Sequence, residues 1–556
     1  MMPLSARLTR NTSLSGYRAE LAIVCVALIL MALVNPQGEF PVNDDWAYTH
    51  SVQWLLDEHR IRLSDWIAMN LLPQTLAGGV VVKLFGFSFT VLRHLTQLVS
   101  VFVALLALRW FVAVGLGRRD ALVATLTVIA IPFWLPVANS FMTDLYAMLF
   151  ALPAATLFFR ALRTPRMSLI VFATLLAAIG VLQRQVVAVL PAAFLIAWLV
   201  ANRRFDLRTL AIGIMPMVAV IVAEFLYLTY LTNGPGVPEA QQYAHGRVLP
   251  LLLTFFDPDA GWYRLGVMLH FATILAYLGL FVLPFALWRG FPKGRVAAWL
   301  VLLMAGLILA AMAVTGFWPP WREYQLMDGA GIGPFVLYDA QPRELAQLDR
   351  SPGVLWRIAA AGAAIGIASL LHMFYAVLRG MVTGIKRDAG QRLFLLVLIG
   401  AYIAPFIFTD YIDRYLLFVL PFVLALMAQD EMMSPVRLSR TVSLSWLAAA
   451  LIMGAMATHD YFAWNRARWS AIHTAETLGA TPATLDGGFE YNGYYRFEVQ
   501  PRVMRAGKSW WWVEDDRFIV SFTVVPGYLE RAQFPVEAWL PRTPVVVRLL
   551  EREVND

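Results

Sequence analysis

The stretch Glu20-Leu21-Ala22-Ile23-Val24-Cys25-Val26-Ala27-Leu28-Ile29-Leu30-Met31-Ala32-Leu33-Val34-Asn35-Pro36 carries no charge after its first residue. It is followed by Asn43-Asp44-Asp45-Trp46-Ala47-Tyr48-Thr49-His50-Ser51-Val52-Gln53-Trp54-Leu55-Leu56. A membrane crossing needs about 20 largely apolar residues, so the two adjacent carboxylates come directly after a span. The pattern repeats along the chain. Thirteen segments read as spans, near 20–36, 88–108, 121–138, 143–159, 168–182, 186–201, 209–231, 265–288, 296–316, 354–378, 393–409, 413–429 and 441–457. The region 168–201 also reads as one long helix.

Composition agrees. Of 556 residues, 59% are hydrophobic and 15% charged, with a mean hydropathy of +0.63. A soluble domain is about half apolar and about a quarter charged. The expected fold class is therefore an all-α polytopic membrane protein of about 13 spans over 1–457. A polar C-terminal region, 458–556, reads as a small mixed α/β or β-rich extracytoplasmic domain. Its alternating stretches Arg517–Val525 and Pro544–Leu550 read as strands, around turns at Asp486-Gly487-Gly488 and Pro526-Gly527. The net charge of +7 is spread over short loops rather than gathered in a stripe, which speaks against a nucleic-acid partner. The single cysteine, Cys25, permits no intrachain disulfide.

The loops order the spans. Basic residues recur on alternate connections: Arg7, Arg10 and Arg18; Arg109, Arg118 and Arg119; Arg160, Arg163 and Arg166; Arg203, Arg204 and Arg208; Arg289, Lys293 and Arg295; Arg379, Lys386, Arg387 and Arg392; Arg437 and Arg440. The positive-inside rule makes these cytoplasmic, with the N-terminus inside and the C-terminus outside. A cleaved signal over 1–34 is the rival reading, but no A-x-A-like site follows. The outer segments are then 37–87, 139–142, around 183–185, 232–264, 317–353, 410–412 and the tail. They carry Asp44, Asp45, Asp144 at a span edge, and Asp410.

Within 37–87, Trp46, His50 and Trp54 recur every four residues and share a helix face. The expectation is an amphipathic helix in the membrane interface with tryptophan at headgroup level, and a second short one around Leu63–Leu72. Asp44 reads either as a helix N-cap or as a general base, since paired, partly desolvated carboxylates have a raised pKa. Asp144 reads as another cap or as a site residue, carboxylates at a span edge being costly. Arg184 interrupts an apolar run on the face where cations are scarce. Either a phosphate or an ion pair to Asp44 or Asp144 would explain it. Arg414, in Asp410-Tyr411-Ile412-Asp413-Arg414-Tyr415, is similar but has local acidic partners. The eight histidines, His50 and His59 included, have no metal-ligand spacing. Trp510-Trp511-Trp512 reads as tail packing or headgroup contact, with a sugar platform as the weaker option. Tyr243, His245, Trp318, Trp321, Arg322 and Glu323 lie on outer loops in no readable pattern.

These residues resemble the C-type (GT-C) glycosyltransferase superfamily, polytopic enzymes that use polyprenyl-phosphate sugars. The branch they look most like is that of the protein O-mannosyltransferases and lipid A aminoarabinose transferases. Asp44-Asp45-x-x-Tyr48 looks like that branch's Asp-Glu-x-x-Tyr motif. Lys83-Leu84-Phe85-Gly86 with Leu92-Arg93 is similar to its stretch entering the next span. Thr143-Asp144 looks like its Thr-Asp motif, and Arg414-Tyr415-Leu416-Leu417 with Pro421 is similar to its R-Y-L-L-P stretch. There are departures: Asp45 stands for Glu, Arg184-Gln185 for Lys-Gly, and no proline directly follows Leu417.

The resemblance implies an inverting transfer from a polyprenyl-phosphate sugar to a hydroxyl of a lipid, glycan or protein acceptor, at the outer face of a bacterial inner (plasma) membrane. Asp44, Asp45 and Asp144 would be catalytic. Arg184, Arg414, Tyr48 and Tyr415 would bind the donor phosphate. A divalent cation would be held by Asp44 and Asp144 if one is used. The alternative is a lipid-linked sugar flippase, which would show inverted repeats and midplane charges. Convergence of Asp44, Asp144 and Arg184 on one cleft separates the two.

Overall fold

The structure, a computed structural model, describes residues 17–202, 206–316, 318, 354–382, 389–409, 412–429, 433–434, 436–499, 512–513, 515–539 and 546–553. Helix Arg18–Val34 illustrates how the bundle is built. Its buried residues, Ala19, Ile23, Ala27, Leu30 and Val34, recur at three- or four-residue spacing. Leu21, Leu28, Ile29 and Leu33 are exposed. A helix apolar on all sides suits a lipid surround on its outward faces. The chain is an integral membrane protein: nine described helices are long and apolar enough to cross a bilayer, from Phe89–Val114 to Arg437–Thr477.

Every one of the thirteen expected spans falls on helix. Four of them are shorter or broken: Arg18–Val34, Arg118–Ile129 with Trp134–Ala138, Met167–Val181, and Leu416–Ala428. A helix of 13 residues, as in the last, reaches only about 20 Å at 1.5 Å per residue, against a core of about 30 Å. The region 168–201 is two helices, broken at 182–184. Helices Gly261–Arg289 and Val354–Val382 cross in backbone contact. A Cβ on Gly279 would sit 2.6 Å from the carbonyl of Ala363, so only small residues permit this approach.

Two expectations are corrected in the first outer segment. A helix does form over Asp45–Asp57, but the second is not at Leu63–Leu72. It runs over Leu72–Phe85. The Leu71 and Leu72 amides instead donate to the carbonyls of Gln183 and Leu182, at 3.1 and 2.9 Å, and Pro73 opens the helix. Nor does the Trp46 face of Asp45–Asp57 meet lipid headgroups. Trp46 is fully buried, and tail helix Phe489–Arg496 covers this face.

The last long helix, Arg437–Thr477, has 41 residues, about 60 Å and twice the hydrocarbon thickness. The polar shift near residue 458 therefore falls inside an unbroken helix, whose C-terminal half projects from the bundle. Against it packs a four-stranded sheet in the order Leu485–Asp486, Phe518–Ser521, Val546–Arg552, Tyr528–Pro535. The first pair is parallel and the others antiparallel, with Phe518 opposite Glu551 and Tyr528 opposite Arg552. Gly527, at φ +79°, occupies the left-handed position of the turn before Tyr528–Pro535. The basic connections lie at the other end of the bundle, where Phe291–Pro292 pairs with Met433–Ser434.

Candidate active site

Four charged side chains from four separate segments meet at the tail-bearing end. Asp44 comes from the first connection, and Asp144 is the first residue of helix Asp144–Arg163. Arg184 occupies the break between helices. The Gly180 carbonyl accepts from both Gln183 and Arg184 amides, which closes the helix and leaves Arg184 extended. Arg414 lies in the 3₁₀ turn Asp413–Tyr415 ahead of Leu416–Ala428.

Arg184 Nη1 donates to Asp144 Oδ1 at 2.6 Å. Arg414 Nε lies 3.6 Å from Asp144 Oδ2, and its Nη2 4.0 Å from Asp44 Oδ2. Arg414 therefore stands between the two carboxylates. The Tyr415 ring faces both cations, 5.6 Å from Arg184 and 5.9 Å from Arg414. Tyr402 donates to the Tyr415 carbonyl at 2.7 Å. Tyr48 is buried, its hydroxyl 4.0 Å from Met69 Sδ. Burial holds that hydroxyl well above its ordinary pKa, so it remains a neutral donor.

The cap readings are not realised. Asp44 occupies an N-cap position but makes no side-chain cap bond. Its Oδ1 accepts from Trp66 Nε1 at 3.0 Å, and its backbone amide donates to Asn43 Oδ1 at 2.8 Å. Asp144 likewise turns to the arginines.

The adjacent carboxylates do different things. Asp45 Oδ1 accepts from the Val42 amide at 2.6 Å and Oδ2 from the Phe141 amide at 3.2 Å. It ties the first connection to the Asp144 segment and is fully engaged. Burial pushes its carboxyl up to about 8, although both amide donors and the Arg93 charge pull the other way. Asp44 is the open member: its side chain is 21% exposed, against 3% for Asp144 and 4% for Arg414. Burial, with smaller contributions from the Glu490 and Asp144 charges, holds its carboxyl above the usual range. Arg414 and the Trp66 N–H oppose this.

Among these four side chains the two signs of charge balance, but the hydrogen bonding does not. Among the described residues, Arg414 Nε and Asp144 Oδ2 are buried with no hydrogen-bond partner, and Arg414 Nη1 has only Met142 Sδ, at 4.0 Å. A buried guanidinium whose donors are not used up fits an anionic oxygen ligand such as phosphate. The fit for a divalent cation is poor. A metal shared by Asp44 and Asp144 would need the place that the Arg414 guanidinium holds. Among the described residues no group of three His, Cys, Asp or Glu is arranged to hold one.

Several neighbours carry no signal in the sequence. Trp66 is the one aromatic between Trp54 and Phe85, and nothing beside it marks it as a partner of Asp44. Glu490 lies far along the chain, yet its Oε1 accepts from the Asn43 amide at 3.1 Å. Arg93 donates to the carbonyls of Pro36, Gly38 and Phe40 at 2.7–2.9 Å and so fixes the backbone that leads to Asp44. Asn70 is a hub: it donates to the Val181 carbonyl and accepts from Gln185 and Gln241. Asp410, Tyr411, Trp321, Arg322, Glu323, Trp510 and Trp511 lie outside the described residues. Trp512 sits in the ring cluster of Trp46, Trp66, Phe489 and Phe497.

Residues 77–228 match the family model described as dolichyl-phosphate-mannose-protein mannosyltransferase. This is a family of GT-C type, so the resemblance to that superfamily is borne out. The match includes Asp144 and Arg184; Asp44 and Arg414 lie outside it. No curated protein matches the chain. The family match supports glycosyltransferase activity in a membrane protein and does not favour a flippase.

Proposed function

We propose that this chain transfers a sugar from a polyprenyl phosphate to a hydroxyl of a lipid, glycan or protein, at the outer membrane face and with inversion. One observation carries the reading. Asp44 is a partly exposed carboxylate with a raised pKa, fixed by Trp66 beside a buried arginine pair that has donors left over. Such a carboxylate suits a base, and such a guanidinium suits a phosphate.

The acceptor oxygen attacks the anomeric carbon while its proton passes to Asp44. The bond from the anomeric carbon to the phosphate oxygen breaks, and its electron pair stays on the phosphate. Arg414 and Arg184 meet the charge that develops there. Phosphate is a good leaving group and needs no general acid, unlike the leaving alcohol of a glycosidase. Asp144 positions both arginines. Asp45 positions the loop rather than reacting, because both its oxygens are taken by backbone amides. Charge compensation by arginine leaves no step that calls for a metal.

The test is release of label from a panel of radiolabelled polyprenyl-phosphate sugars, mannose first, by wild type and Asp44→Asn. A drop of about 10³-fold or more in kcat with donor binding retained is expected. Equal rates would remove Asp44 as the base.

A further inference from the structure

We infer that Glu490, on tail helix Phe489–Arg496, is a positioning residue for Asp44, so that the C-terminal region completes the catalytic site. The inference rests on Asp44 being the base.

Two routes lead from the tail to Asp44. The first is through the backbone. Arg468, on the projecting half of helix Arg437–Thr477, donates from Nη1 to Glu490 Oε2 at 2.6 Å and from Nε to the Gly487 carbonyl at 2.6 Å. Glu490 Oε1 then accepts from the Asn43 amide. Asn43 is held at φ +58°, a left-handed conformation that costs energy in a residue other than glycine. Its side chain in turn accepts from the Asp44 amide. A grip on Asn43 thus sets where residue 44 begins.

The second route is through the side chain. Trp66, the donor to Asp44 Oδ1, is packed by Phe489, Phe497 and Trp512 of the tail at ring distances of 5.6–5.7 Å. Trp46 beneath it meets Gly493 so closely that a Cβ there would lie 2.5 Å from the indole.

Anchoring alone does not account for the ion pair. A buried pair costs desolvation on both sides and is often no more stabilising than apolar packing of similar volume. The ring cluster already supplies that packing. What the pair adds is a fixed acceptor at one backbone amide, one residue before the base.

The experiment compares Glu490→Gln, Glu490→Ala and Asp44→Asn in the full-length protein. It uses the radiolabelled polyprenyl-phosphate sugar that wild type turns over fastest, with kcat, donor KM and the pH profile of kcat as readouts. Glu490→Ala removes the acceptor for Asn43. The expected result is a fall in kcat of about 10- to 100-fold with donor KM within about threefold, as for a misplaced reacting group. Glu490→Gln keeps an acceptor oxygen but removes a negative charge. The charged and titratable groups facing Asp44 are then Arg414, Asp144 and Tyr48, with the Trp66 N–H. The acid limb, set by Asp44, moves to lower pH, while kcat on the plateau stays within about fivefold.

Arg531→Gln breaks an exposed pair with Glu551 in the same tail and leaves all three readouts unchanged. Wild-type kcat in Glu490→Ala, or a loss of kcat in Glu490→Gln as large as that expected of Glu490→Ala, overturns the inference; the latter decides alone if Glu490→Ala does not fold. If Asp44→Asn is fully active, it is the base assignment that has failed, whatever the Glu490 variants do.

Discussion

The arginines gathered around the site and those on the connections at the far end of this bundle are used in opposite ways. At the tail-bearing end Arg93, Arg184, Arg414 and Arg468 are between 1% and 8% exposed. Each faces a carboxylate or a set of carbonyls. At the other end Arg119, Arg160, Arg163, Arg166, Arg208 and Arg295 are exposed. Arg118, with its side chain 59% exposed, has Glu20 no nearer than 3.5 Å. Arg392 is buried there against the Gln429 carbonyl, and Arg289 and Arg440 are half-buried. Exposed cations at a membrane surface are inexpensive, and their number biases orientation. A buried cation needs a built partner, and removing one partner leaves the other uncompensated. The same residue type therefore reports topology on the exposed far connections and a site where it is buried.

The sharpest way to break this contrast is Arg414→Ala. It removes the cation between Asp44 and Asp144 and the donors offered to the leaving phosphate. A loss of about 10²- to 10³-fold in kcat is expected, the scale of removing one donor to a developing charge. Arg414→Lys should recover only part of it, since an ammonium cannot address both carboxylates in the fork geometry of a guanidinium. The check is label release from the preferred polyprenyl-phosphate sugar. A residual rate within about tenfold of wild type in Arg414→Ala would make the residue a structural pair only.

This contrast also explains what the sequence made legible. A charge inside or beside an apolar run is conspicuous because so little else there is polar, and Asp44, Asp144, Arg184 and Arg414 all stand out on that ground. Helix breaks then bring them to one end. Trp66, Glu490 and Arg468 do not stand out, because they sit in mixed stretches where their residue types are ordinary. The bond from Glu490 to Asn43 spans 447 positions, which no local pattern encodes. The four-residue spacing of Trp46, His50 and Trp54 predicts an apolar partner but not which one, and the tail helix, not the lipid interface, supplies it. The missing helix at Leu63–Leu72 has the same cause: the Leu71 and Leu72 amides are bound to the break that carries Arg184.

A smaller effect separates positioning of Asp44 from its mere presence. Trp66→Phe keeps a ring in the cluster but removes the N–H that Asp44 Oδ1 accepts. That bond favours the carboxylate and opposes the rise caused by burial. Without it the Asp44 pKa climbs further. The base is then protonated over more of the acidic range, and the acid limb of kcat moves to higher pH. A loss of about tenfold is expected below the limb, shrinking on the alkaline plateau. A uniform loss at every pH would mean that Trp66 acts through packing alone. The direction is opposite to that expected of Glu490→Gln, so the two profiles test the geometry around one carboxylate from both signs.

The smallest effect is expected at the far end. Arg118→Gln removes a cation that is largely solvated and paired at 3.5 Å. Exposed pairs of this kind contribute about 0–1 kcal/mol, and the neighbouring basic connections still mark that face. Turnover should stay within about twofold, and accessibility labelling of the C-terminal region should still place it opposite the basic loops. A large loss of turnover with orientation intact would show that the far end communicates with the site, and would end the division of labour between the two sets of arginines. An inverted orientation would instead mean that one exposed charge weighs more than all the others on its face.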